Sequence, residues 1–303
     1  MAVHKNLSDQ VVVITGASSG IGLCTALLAA DKGAKLVLAS RSENILAELA
    51  SDFSAFGIDA KIVVADVGIK SEVERIAQVA MQAYGRIDTW INNAGATIYS
   101  RLDIVPERYS RRLFDTNFWG VVHGSLAALP FLKISKGALI NIGSEVSDAV
   151  VPLQGMYSAS KHAVKGFTDV LRVETEEVDG SEMAITLIQP TAVNTPISEH
   201  ALNYMDREPK LPDPMIDPQR VAEAILTAAE NGGRNISVGT LAAVDKLMWK
   251  MMPRMADKFA AKQISRQQKN EKPVNPSGCL YHPSESDRIY GNTNSFITKR
   301  PSE

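Results

Sequence analysis

Seven short apolar runs, at 11–15, 35–39, 61–65, 89–91, 138–142, 184–188 and 236–238, recur along the chain with longer stretches between them. They are rich in Val, Ile and Leu, and several carry almost no polar residue. Such runs make strands buried on both faces, as happens where helices cover both sides of a parallel sheet. The stretches 20–31, 44–53, 71–84, 108–132, 157–178 and 218–231 have helical spacing. The last starts on Asp217 and Pro218, an N-cap followed by a first-turn proline, and stops at Gly232 and Gly233. This alternation predicts an α/β fold with a doubly wound, parallel, seven-stranded sheet and right-handed crossovers.

The composition narrows the function classes. A formal net charge of −2 over 303 residues gives no global electrostatic case for nucleic acid or an anionic membrane. Only Cys24 and Cys279 are present, too few for a disulfide framework and without metal-ligand spacing, and the five histidines have none either. No metal is expected, and a reducing, cytoplasmic setting is. The N-terminus has no apolar signal core, and no run approaches the ~20 apolar residues of a membrane span.

Residues 1–240 read as one catalytic domain and 241–303 as an extension, helical then loop-rich, not an independent domain. Val244, Leu247, Met248, Met251, Met255 and Phe259 keep helical spacing across an interruption at Pro253, and Pro, Ser, Asn and Gly dominate from Lys272. The basic, methionine-rich stretch 246–269 could lie on a membrane surface. Packing on its own domain or on a neighbouring subunit is the preferred reading, which argues against membrane contact.

The first strand runs directly into Gly16, Gly20 and Gly22, spaced G-x-x-x-G-x-G, and then into a helix. A strand, a glycine turn and a helix N-terminus form a phosphate site, because the backbone can approach closely and the helix end presents unpaired N–H groups. At the tip of the second strand, where an acid would meet a free ribose 2′-hydroxyl, stand Ser40 and Arg41. Arg41 can pair with a 2′-phosphate and Ser40 can add a hydrogen bond, which favours NADP(H) over NAD(H). The same turn also satisfies G-x-S-x-G through Ser18, but a hydrolase elbow follows several strands, and neither His200 nor His282 sits in a matching loop.

Tyr157 and Lys161 are four residues apart on a helical stretch, so both heads can enter one cleft. A phenol titrates near ~10, and a neighbouring ammonium is expected to draw that value down toward the range useful for general acid–base work.

These motifs occur in one order: Thr15 with Gly16, Gly20, Ile21 and Gly22; Asp66 and Val67; Asn92 to Gly95; Asn117; Ser144; and Tyr157 with Lys161. Taken together they resemble the short-chain dehydrogenase/reductase family in its single-domain branch, over about residues 8–240. The resemblance implies a Rossmann fold and an enzyme acting on CH–OH or C=O groups. It implies that Tyr157 exchanges a proton with the substrate, that Lys161 tunes the tyrosine and holds the nicotinamide ribose, and that Ser144 bonds the substrate oxygen. Asn117 would keep a water near Lys161. Cofactor contacts would come from Gly16, Ser18, Ser19, Gly20, Ile21, Gly22, Ser40, Arg41, Asp66, Val67, Asn93, Ala94, Gly95, Tyr157, Lys161, Pro190, Val193 and Thr195.

One departure is Thr191 after Pro190, where the family commonly has glycine. A β-branched residue resists positive φ, so the loop start should differ. Substrate contacts are expected from 97–104, 145–156 and a lid at 197–215, whose apolar content suggests a small lipophilic carbonyl or alcohol. A homodimer or homotetramer is the family's habit. The rival reading is a nucleotide-binding regulatory or scaffold protein that keeps the fold without turnover, against which Tyr157, Lys161 and Ser144 all stand in place.

Overall fold

In β1 (Val11–Thr15), Val12 and Ile14 enter one apolar cluster and Val13 enters another. β2 (Lys35–Ser40) repeats the division, with Leu36 and Leu38 on the first side and Val37 and Ala39 on the second. Successive strand side chains point to opposite faces, so a wholly apolar strand needs a layer on each. One layer comprises α1 (Gly20–Asp31), α2 (Glu43–Ala55) and α7 (Pro218–Asn231); the other comprises α3 (Lys70–Tyr84), α5 (Gly120–Ser135) and α6 (Gly155–Arg172). These positions come from a computed structural model, which describes residues 4–239, 251–284 and 286–291.

The remaining sheet strands are β3 (Ala60–Val64), β4 (Thr89–Asn92), β6 (Ala138–Ile142), β7 (Ala184–Pro190) and β9 (Asn235–Val238). All seven are parallel, in the order β3-β2-β1-β4-β6-β7-β9. The chain builds outward from β1 in one direction and then restarts at β4 in the other. The C-terminal ends of β1 and β4 therefore diverge into a crevice, the position where open α/β sheets bind ligands.

Three differences from the expected elements bear on the site. The helix expected over 108–132 consists of α4 (Glu107–Phe114), a wide π-helical turn (Asp115–Trp119) and α5, and Asn117 lies in that turn. A two-residue parallel pair, β5 (Ile98–Tyr99) with β8 (Leu202–Asn203), ties the loop after β4 to the lid; it is too short to show a period in sequence. The interruption at Pro253 takes the form of a break at Met252, after helical Met251, and Pro253 opens the next helix, Pro253–Gln263, where its missing N–H costs nothing. The apolar positions 244–248 lie outside the described residues.

Candidate active site

The crevice is one continuous cleft, lined by all the expected cofactor residues except Gly22: Gly16, Ser18, Ser19, Gly20 and Ile21 from the glycine turn, Ser40 and Arg41 at the end of β2, Asp66 and Val67 after β3, Asn93 to Gly95 after β4, Pro190 at the end of β7, and Val193 and Thr195 beyond it. Tyr157, Lys161 and Ser144 line the same cleft. Gly22 serves packing instead. A Cβ there would stand 2.1 Å from the Gly16 carbonyl oxygen, so only glycine lets α1 start this close to the turn. Gly16 has φ +67°, the left-handed region that glycine enters freely. Asn93 locks the turn to β4, donating from Nδ2 to the carbonyls of Thr15 (3.0 Å) and Gly16 (3.1 Å).

Asn117 does not line the cleft. It is fully buried, its Oδ1 accepts from Ala96 N at 2.8 Å, and its Nδ2 donates to Ala96 O at 2.9 Å and Ser160 Oγ at 3.1 Å. Its amide braces the loop after β4 rather than facing the cleft. Asp66 does line it, yet its carboxylate is also engaged: it pairs with Arg112 and accepts from Gly68 N at 2.9 Å. Burial pushes that carboxyl upward, but the Arg112 and Gly68 hydrogen bonds outweigh burial and hold it below its ordinary range.

Ser144 follows β6 and starts a short 3₁₀ turn, Glu145–Ser147, its Oγ accepting from Val146 N at 3.3 Å. Tyr157 and Lys161 both belong to α6, and the Lys161 Nζ stands 5.7 Å from the centroid of the Tyr157 ring. The spacing therefore brings the pair together, but their charge relation differs from the expected one. Burial pushes the Tyr157 phenol up to about 12, although a hydrogen bond with Ser144 works the other way. Burial lowers Lys161 to about 8. Its ammonium donates to the Ile142 carbonyl at 2.8 Å, off the tyrosine oxygen, and desolvation dominates both groups. At neutral pH the pair is a neutral phenol beside a charged ammonium.

Thr191 needs no positive φ; Lys136 and Leu153 are the non-glycine residues with positive φ among those described. The neighbouring strand accommodates it. A Cβ on Gly239 would lie 2.4 Å from Thr191 Oγ1, so the missing side chain of one residue makes room for the extra one of the other.

The substrate side is lined by Thr97, Glu145, Val146, Val151 and Gln154 together with Ile197, His200, Leu211 and Pro212 of the lid. Leu102 and Ile104, expected there, are exposed. The extension adds three lining residues that were not anticipated, Cys279, Pro283 and Ser284. That segment has no periodicity, so nothing in its sequence could have placed it. It also changes the surroundings of Arg41, whose Nη2 donates to Cys279 O (2.6 Å) and Nη1 to Leu280 O (3.0 Å).

The model of the short chain dehydrogenase family matches residues 10–205. This chain belongs to that family. The chain is 40% identical to YxnA of Bacillus subtilis, named an uncharacterized oxidoreductase, over 97% of this chain and 86% of that relative. A match of that span takes in most of the extension as well as the sheet domain. An alcohol dehydrogenase from the archaeon Thermococcus sibiricus, complexed with 5-hydroxy-NADP, superposes with a TM-score of 0.65 at 26% identity, covering 76% of this chain and 94% of its own. A short chain dehydrogenase/reductase from Burkholderia phymatum in complex with NAD reaches 0.72 at 24% identity, over 89% and 99%, a likeness of fold.

Proposed function

We propose that this dehydrogenase reduces the carbonyl of a small lipophilic substrate with NADPH, or oxidises the matching alcohol in reverse. The observation that carries the reading is one cleft holding the glycine turn and Arg41 at one end and Ser144, Tyr157 and Lys161 at the other. Its residues fit a nicotinamide dinucleotide. Gly95 lines the cleft without a side chain beside Lys161, and a Cβ there would make only ordinary contacts, 3.6 Å from Asn117 Oδ1 and 4.0 Å from Lys161 Nζ. When bound, such a cofactor supplies the hydride.

The chain's own residues supply placement and proton control. A phenol that titrates near 12 is protonated at neutral pH, the state that donates to a carbonyl oxygen becoming an alkoxide. The Ser144 hydroxyl, bonded to Tyr157, can share that oxygen. The Lys161 ammonium adds positive charge beside the ring and stays charged below about pH 8. This protonation pattern supplies the proton that carbonyl reduction consumes. Val146, Val151, Ile197, Leu211 and Pro212 give the substrate side its apolar character.

The preference for NADP(H) rests on charge. Arg112 is paired with Asp66 at the β2 end of the cleft, while Arg41 has no carboxylate ion pair among the described residues and is the guanidinium placed to meet a 2′-phosphate. We place the enzyme in the cytoplasm as a homo-oligomer, with residues 241–303 as an extension of the catalytic domain; the free Cys24 and Cys279 agree with a reducing compartment. The test is NADPH and NADH oxidation across a panel of lipophilic ketones and aldehydes, with wild type and Arg41→Glu. NADPH turnover is expected, with the substitution weakening NADPH at least about tenfold more than NADH, in line with a lost charge-assisted pair. Equal losses for both cofactors would refute the 2′-phosphate assignment, and no turnover of any carbonyl would count against reduction.

A further inference from the structure

After Gln267 the described residues of the extension, up to Gly291, form no helix or strand, yet they are bonded to the lid, to the end of β2 and to the glycine turn. It first runs along the lid. Lys210 N donates to Gln267 O (2.9 Å), Lys269 N to Glu208 O (2.8 Å), Glu208 N to Glu271 O (2.9 Å) and Asn203 N to Pro276 O (2.8 Å). At Gly278 the two backbones press together: a Cβ there would lie 2.4 Å from the Ala201 carbonyl carbon, and φ is +56°. Cys279 N then donates to His200 O at 2.8 Å.

The segment next crosses to the end of β2. The Cys279 and Leu280 carbonyls take both terminal nitrogens of Arg41, Arg112 Nε also reaches Leu280 O (3.3 Å), and Ser42 Oγ donates to Ser284 O at 2.7 Å. Finally it returns over the glycine turn. Gly20 N donates to Arg288 O at 2.9 Å, the Arg288 guanidinium pairs with Glu199, and a Cβ on Gly291 would meet Thr195 O at 2.9 Å. The described residues of the extension thus meet both the β2 end and the glycine turn of the cofactor cleft.

We propose that residues 279–284 and 286–291 form a strap over the cofactor cleft, which must lift for the dinucleotide to enter or leave. The proposal rests on the nicotinamide reading above. Because the same segment is bonded to the lid, lid opening and cofactor exchange are coupled. The strap's grip on the cleft combines hydrogen bonds, those from Arg41 and Arg112 charge-assisted, with one ion pair and two apolar anchors, Leu280 beside Ile98, Leu113 and Leu202, and Ile289 against the main core. None of these is a sheet or helix hydrogen bond, so the segment can open locally while the sheet stays folded. Backbone carbonyls on Arg41 also set where its charge points, so the strap positions the residue that would read the 2′-phosphate.

The test measures NADPH and NADH release by stopped-flow fluorescence, chasing preloaded full-length enzyme with the oxidised cofactor. Arg288→Glu places two carboxylates together and should speed release about fivefold, the scale of an exposed ion pair. Pairing it with Glu199→Arg should restore the wild-type rate. Gly278→Val, which cannot seat the strap against Ala201, should speed release at least tenfold. Hydrogen exchange of the peptide spanning 276–291 should slow on binding. Normal binding with unchanged release in both single variants would overturn the strap alone. Wild type that binds neither NADPH nor NADH would overturn the nicotinamide reading and the strap with it.

Discussion

Tyr157 and Lys161 show what a single spacing can and cannot convey. An i, i+4 pair shares a helix face wherever the helix lies, so their juxtaposition was legible in sequence. Their titration was not, because it depends on how deeply α6 buries them, and burial shifts a phenol and an ammonium in opposite directions. Lys161 carries a consequence for stability. Its folded value of about 8 lies below the ~10.4 of an unfolded lysine, so the unfolded chain holds more protons between those limits. The stability contribution is therefore full above about pH 10.4 and lost as pH falls through 8. Lys161→Met removes this dependence. Denaturant melts should show wild type gaining about 2 kcal/mol on Lys161→Met between pH 8 and 10; a constant difference would contradict the burial of a titrating ammonium. Arg41 was legible by position, but its carbonyl partners are 238 and 239 residues away in sequence and left no local trace.

At the scale of elements, the sheet was legible because burial on both faces leaves only apolar residues to choose from. The seven strand positions needed only end adjustments. The turn at Asp115–Trp119 was hidden, since a π-helical turn keeps nearly helical spacing and differs by one extra residue. Asparagine inside a helix was the available signal, and it pointed to a role for Asn117 without identifying its partner. The structure supplies that partner as the Ala96 backbone, gripped at both its N–H and its C=O. Asn117→Ala leaves both half-buried Ala96 groups without their side-chain partner. It should cost about 1–3 kcal/mol in equilibrium unfolding and weaken NADPH binding through the loop that carries Asn93, Ala94 and Gly95. Asn117→Asp retains an acceptor for Ala96 N and should recover part of the loss. An unchanged melt in Asn117→Ala would show that the loop does not depend on the brace.

Across the whole molecule, the extension joins parts that the sheet domain alone leaves apart. Gln267 is fully buried, accepts from Gln154 Nε2 at 2.8 Å and donates to Pro152 O at 2.9 Å, so the extension also fixes the substrate-side loop before α6. Gln267→Ala should destabilise the protein by about 1–3 kcal/mol and raise KM for the carbonyl more than it lowers kcat. A reversed pattern would place Gln267 nearer the chemistry than the structure does. The central claim is that Tyr157 delivers the proton in a cleft already built to hold NADPH. It is tested most directly by measuring NADPH affinity and carbonyl turnover together in wild type and Tyr157→Phe. The account predicts near-equal affinity with turnover lower by about 10²–10⁴-fold, the contribution of a positioned acid. Turnover within a few-fold of wild type at equal affinity would contradict it.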